Sequence, residues 1–221
     1  MCGKFTAKSS WTEIVDYIWS TPPVDGEDDR TLTYRVMNDL PVIVWEGEER
    51  RTVPMRWGFA HPDNWQIPQP IHARAETIDT VKAFAQPFRD GQRGIVLMKN
   101  FNEAPDVKGP IIQHVVTPGD EPALAAAFVW RRTDIAGRST PLFACVLVTV
   151  AANPLLTSLP TDRMPAFLAQ EDWQTWLGEK PASLEAVKAC LRTVEGARWT
   201  MAKEARAPRR KPTLSDPAGL F

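Results

Sequence analysis

Leu142-Phe143-Ala144-Cys145-Val146-Leu147-Val148-Thr149-Val150 is the most apolar run in the chain. It is rich in β-branched residues, so it predicts a strand with Cys145 in the core. Upstream, Val42–Trp45 and Thr52–Phe59 flank Gly47 and predict an antiparallel hairpin. Gly94–Met98, Ile111–Val116 and Ala125–Trp130 predict further strands. Phe5 and Thr6 end a short one, and Phe167-Leu168 belong to another.

Helical signals are fewer. Ser10 with Glu13 forms a capping-box pattern ahead of Ile14, Val15, Ile18 and Trp19. Thr80–Phe88 and Glu171–Leu177 read as helices, the second ended by Gly178, and Ser183 caps another through Leu191. Asp25–Asp29, 60–70 and Lys99–Pro105 read as loops, and Asn153-Pro154 as a turn. Many short strands with three to four peripheral helices predict one α+β domain on a curved, barrel-like, mostly antiparallel sheet. Its expected extent is 1–203, with 204–221 a basic, Pro-rich tail carrying Arg206, Arg209, Arg210 and Lys211.

The composition narrows the functional classes. A net charge of -1 over 221 residues means any nucleic acid must be held by a local patch. Cys2, Cys145 and Cys190 are an odd set without metal-ligand spacing. They point to a reducing compartment and away from a disulfide scaffold. No signal peptide or membrane-spanning run is legible, so the expected address is the cytoplasm and the expected state a monomer.

The start of the chain, Met1-Cys2-Gly3, carries distinctive chemistry. With Met1 removed, Cys2 presents an amine and a thiol on adjacent carbons, with unperturbed pKa values of about 7.7–8.0 and about 8.5. The amine condenses with an aldehyde, and the thiol closes on the same carbon to give a five-membered thiazolidine.

Five segments occur in an order that resembles the SOS response-associated peptidase (SRAP) family of abasic-site-shielding proteins. They are Met1-Cys2-Gly3, Arg56-Trp57-Gly58, Ala73-Arg74-Ala75-Glu76-Thr77, Phe101 with Glu103, and Asp162-Arg163-Met164-Pro165. The resemblance spans Cys2 to about Lys203. It implies a barrel-like core, loss of Met1, and a covalent bond between Cys2 and the aldehyde of an abasic site in single-stranded DNA. It implies no metal, no organic cofactor and no membrane. The alternatives are a relative that grips single-stranded DNA or a repair partner without covalent chemistry, and a cysteine-dependent peptidase.

The chain departs from the family pattern at several positions. His72 stands where the family has asparagine, Thr161 where it has histidine, Lys4 for arginine and Ala104 for tryptophan. Arg35-Val36-Met37-Asn38 replaces its asparagine-and-proline segment. The resemblance therefore implies a divergent site of Cys2, Glu103, His72 and Thr161. Glu103 would shuttle protons, and His72, the residue nearer neutral titration, would share that work or merely be a tolerated replacement. Lys4, Arg56, Trp57, Arg74 and Arg163 are the expected DNA contacts. For Arg74 and Arg163 the alternative is pairing with Glu76 and Asp162, and for Trp57 it is a place in the core. His61 and His114 have no motif context.

Overall fold

The computed structural model describes residues 2–8, 31–61, 63–105, 112–119 and 123–204. The capped helix expected from Ser10, the acidic loop and the tail beyond Glu204 lie outside these residues. Twelve strands are described: β1 (Lys4–Lys8), β2 (Thr31–Arg35), β3 (Asp39–Glu46), β4 (Glu49–Trp57), β5 (His72–Arg74) and β6 (Arg93–Met98). The others are β7 (Asn100–Glu103), β8 (His114–Thr117), β9 (Leu124–Thr133), β10 (Leu142–Ala151), β11 (Arg163–Pro165) and β12 (Thr200–Lys203).

Strand β10 organises the larger sheet. One edge pairs antiparallel with β9, Cys145 opposite Trp130. It also pairs parallel with β4 at Cys145–Trp57 and with β5 at Leu147–His72, and antiparallel with β11 at Thr149–Pro165. Because β4 pairs with β3, β3 with β6 and β6 with β9, five strands close into a barrel. Ala144 through Val148 are fully buried in succession, as a strand covered on both faces must be. The second sheet runs β12-β8-β7-β1-β2. Apart from the β10–β4 and β10–β5 contacts, every strand pairing among the described residues is antiparallel.

Local chemistry explains the junctions. Gly47 and Glu48 both have positive φ, 60° and 64°, and link Glu46 to its partner Glu49 in a two-residue turn. Gly58 has φ 111°, and a Cβ there would sit 2.4 Å from Pro68 Cβ, so the Arg56-Trp57-Gly58 segment requires glycine. Among the described residues the α-helices are α1 (Lys82–Arg89), α2 (Pro154–Thr157), α3 (Trp173–Leu177) and α4 (Leu184–Ala189). The indole N–H of Trp176 donates to Gly94 O at 3.0 Å and Arg93 Nε donates to Trp176 O at 2.5 Å, pinning α3 to β6. Ser183 caps α4 by accepting from Ala186 N–H, and Gly178 ends α3 with φ 86°. Among the described residues no helix is long and apolar enough to cross a membrane.

Three expectations need correction, and one strand appears where none was expected. Lys99–Pro105 is not simply a loop, because Asn100–Glu103 is β7, with Phe101, Asn102 and Glu103 all buried. Phe167 makes only an isolated bridge to Ala126, since the regular strand of that segment is Arg163–Pro165. The Asn153-Pro154 turn opens α2, with Asn153 Oδ1 accepting from Leu156 N–H. Thr200–Lys203 forms β12 against β8.

Arg163 rivets two sequence-distant segments. Nη1 and Nη2 donate to the two carboxylate oxygens of Glu76 at 2.8 and 2.9 Å, and Nη2 also donates to Thr149 O at 2.5 Å. The Glu76 carboxyl is held below the usual carboxylate range, first by its hydrogen bond from Arg163. That contribution is present above the ordinary carboxylate pKa and is lost as pH falls through the depressed value. Glu76 is half exposed, so solvent screening keeps the pH-dependent part small. Arg163→Leu strands the buried Thr149 carbonyl and is expected to cost about 2–3 kcal/mol in urea denaturation, whereas Glu76→Gln costs under about 1 kcal/mol. An unchanged urea midpoint in Arg163→Leu would contradict the rivet.

Candidate active site

Cys2 lies just before β1 and is only 2% exposed. Its carbonyl accepts a 2.6 Å hydrogen bond from His72 Nε2. Its thiol Sγ lies 3.4 Å from Lys4 O. His72 is placed by the parallel pairing of β5 with β10, and its ring meets Trp57 edge-on at 6.4 Å between centroids.

Glu103 closes the other side. It is fully buried at the end of β7, and its Oε1 accepts from Ala104 N–H at 3.2 Å. Burial raises its pKa, while the chain's amino terminus, the Ala104 N–H and the Thr161 hydroxyl pull it back by stabilising the carboxylate. The Cys2 thiol is pushed up to about 12, by burial first and then by the charge of Glu103. Lys4 O and the Asn102 backbone oppose that rise. The His72 ring is pushed the other way: burial lowers its pKa, so it is neutral near pH 7.

The structure thus brings together Cys2, His72, Glu103 and Thr161. It does not place the expected DNA contacts at a common free surface. Trp57 is fully buried, with its ring against Phe5 and Phe128 and Nε1 donating to Ile71 O at 3.2 Å, so no base can stack on it. Arg56 is 5% exposed and donates to Gly58 O and Trp65 O, which ties these two residues together and leaves the guanidinium unavailable to phosphate. Arg163 is committed to Glu76 and Thr149, the pairing alternative, though with Glu76 and not Asp162. Lys4 is ion-paired with Glu204. Arg74 is exposed at the end of β5.

His114 is a neighbour that motif reading missed. It is directly opposite Glu103 in the antiparallel β7–β8 ladder, which puts both side chains on one face, and its enclosed Nδ1 has no hydrogen-bond partner among the described residues. Only the register reveals this. Pockets of about 380 Å³ beside Trp173 and Trp199, and about 660 Å³ beside Trp65 and Arg131, contain none of the four site residues.

Residues 1–206 match the family described as SOS response associated peptidase (SRAP). The chain belongs to that family. Among SRAP relatives, abasic site processing protein YoaM of Bacillus subtilis (strain 168) is 27% identical over 203 residues, covering 86% of this chain and 85% of its own length. Abasic site processing protein YoqW of Bacillus phage SPbeta is 26% identical over 200 residues, covering 86% of each. The X-ray structure of a protein from Bacteroides thetaiotaomicron superposes with a TM-score of 0.78 at 18% identity, covering 91% of both chains. One from Bordetella bronchiseptica gives 0.75 at 19% identity, over 93% of this chain and 100% of that one. At such identities these two structures establish the shared fold alone.

The site geometry predicts a sluggish thiol. Near pH 8 iodoacetamide is expected to label Cys2 far more slowly in the folded chain than in the unfolded one, because the thiolate is the nucleophile. Glu103→Gln removes the carboxylate charge that raises the thiol, so folded-state labelling should accelerate. Equal rates in folded wild type, folded Glu103→Gln and unfolded chain would contradict the placement of Cys2.

Proposed function

We propose that this chain processes abasic sites in single-stranded DNA, capping the ring-opened sugar as a thiazolidine on Cys2 after Met1 is removed. The observation that carries the reading is the shared burial of Cys2 and Glu103, close enough for the carboxylate to raise the thiol pKa. The names of the relatives supply the substrate class.

The chemistry balances without a cofactor. The Cys2 amine adds to the aldehyde carbon, and its proton passes to the aldehyde oxygen to give a carbinolamine. The hydroxyl leaves as water after taking a proton from Glu103, and an iminium remains. The thiol sulfur then adds to the iminium carbon while its proton returns to the Glu103 carboxylate. The sum is aldehyde plus aminothiol giving thiazolidine plus water, with Glu103 restored.

The shifted pKa values suit this order. A carboxyl raised by burial retains a proton to donate nearer neutral pH. A thiol near 12 stays protonated and idle until the iminium is formed. Thr161 has no proton to give near neutral pH, and its hydroxyl instead orients the Glu103 carboxylate. Arg74, exposed beside the site, is the cation we assign to the DNA backbone.

The test is crosslinking to an oligonucleotide with one abasic site, read on a denaturing gel. Cys2→Ala should abolish the adduct. Cys145→Ala and Cys190→Ala should leave it, because Cys145 is fully buried in β10 and Cys190 sits at the end of α4. An undiminished adduct in Cys2→Ala would sink the reading.

A further inference from the structure

We infer that His72 is a positioning residue whose Nε2–H clamps the Cys2 carbonyl and fixes the direction in which the Cys2 amine and thiol meet a substrate, without transferring a proton to or from that substrate. This rests on the assignment of Cys2 as the reacting residue and goes beyond it.

The observations come from both ends of the contact. The registered pairing of β1 begins at Lys4, opposite Arg35, so Cys2 is outside the strand ladder. Its carbonyl is held by a side chain 70 positions away, at 2.6 Å. A carbonyl oxygen only accepts, so Nε2 must carry the proton. In the neutral ring Nδ1 is then bare. Among the described residues, the contacts of this ring are the Cys2 carbonyl and the Trp57 indole. Neither is a carboxylate that would stabilise the imidazolium. Burial lowers the ring's pKa, the carbonyl contact opposes this, and the amino-terminal charge lowers it further. The anchor behind His72 is rigid, because β5 is hydrogen-bonded to the fully buried centre of β10.

Side-chain length gives this role a signature. The amide nitrogen of asparagine falls near the histidine Nδ1 position and cannot reach the carbonyl that Nε2 reaches. The amide nitrogen of glutamine extends to the Nε2 position and can donate in its place. A proton carrier would be replaced by neither, whereas a clamp is replaced by glutamine alone.

The experiment uses the full chain with Met1 removed, as wild type, His72→Gln, His72→Asn and His72→Ala. Nitrogen-15 spectra of the wild-type imidazole read the tautomer without any substrate. Single-turnover adduct formation is then followed with abasic single-stranded DNA and, separately, with formaldehyde, each across pH. The expected spectrum is a neutral Nε2–H ring near pH 7 that titrates below the ordinary histidine pKa. His72→Gln should keep a rate close to wild type with the same pH profile. His72→Asn and His72→Ala should be about 10–100-fold slower at saturating DNA, with the half-saturating DNA concentration unchanged, as expected for misplaced reacting groups.

A ring titrating at the ordinary histidine pKa, with the rate following it, would overturn the clamp. Equal rates for His72→Gln and His72→Asn would also overturn it. If wild type reacts with formaldehyde but never with abasic DNA, the proposed function fails while the glutamine-over-asparagine order still decides the clamp. Should His72→Ala not fold, the glutamine and asparagine variants carry the comparison.

Discussion

Everything in this fold hangs on the saturation of one strand. β10 shares its backbone among β9, β4, β5 and β11, and its residues Ala144–Val148 have no exposed surface. A buried strand cannot leave its N–H and C=O groups unpaired, so the four partners are obligatory. Two of them flank the candidate site: β5 carries His72, and β11 begins two residues after Thr161 and is anchored to β10 by the Arg163–Thr149 contact. The barrel is thus a rigid frame on which the β5–β11 side of the site is mounted.

The opposite side belongs to the second sheet. β7 presents Glu103, and β1, which begins two residues after Cys2, pairs with it at Phe5–Phe101. The two sheets meet through aromatic packing, with Phe167 5.4 Å from Phe101 and 5.6 Å from Trp199 between ring centroids. Such rings bury large areas and prefer tilted and edge-on geometries, which fixes β7 relative to the 163–168 segment. Cys2 lies at the seam, with His72 from one sheet on its carbonyl and Glu103 from the other raising its thiol. Enclosure at that seam does three things together: it keeps the thiol protonated, the imidazole neutral and the carboxyl able to hold a proton.

Much of the frame was legible in the sequence. The run at 142–150 could hardly be anything but a core strand, and Gly47 marked the β3–β4 hairpin because only a permissive backbone makes that turn. The convergence of Cys2, Glu103, His72 and Thr161 came from motif order. What the sequence concealed was commitment. A guanidinium reads the same whether it faces a phosphate or a carbonyl, and Arg56 and Arg163 proved to face Gly58, Trp65, Thr149 and Glu76. A tryptophan reads the same at a surface or in a core, and Trp57 is core. β7 was hidden because Asn100, Asn102 and Glu103 look like a loop until strand pairing and burial are known. The His72–Cys2 contact and the His114–Glu103 register join positions that no local pattern connects.

The central claim is that both nucleophiles of Cys2 end on one carbon. It is tested most directly by mass spectrometry of the N-terminal peptide after nuclease digestion of the abasic-DNA adduct, formed without a reducing agent. The account predicts a peptide that begins at Cys2 and carries the sugar remnant, with its α-amine and its thiol both blocked. A free Cys2 thiol, a remnant on the Lys4 ε-amine, or a linkage that survives only after borohydride reduction would contradict it.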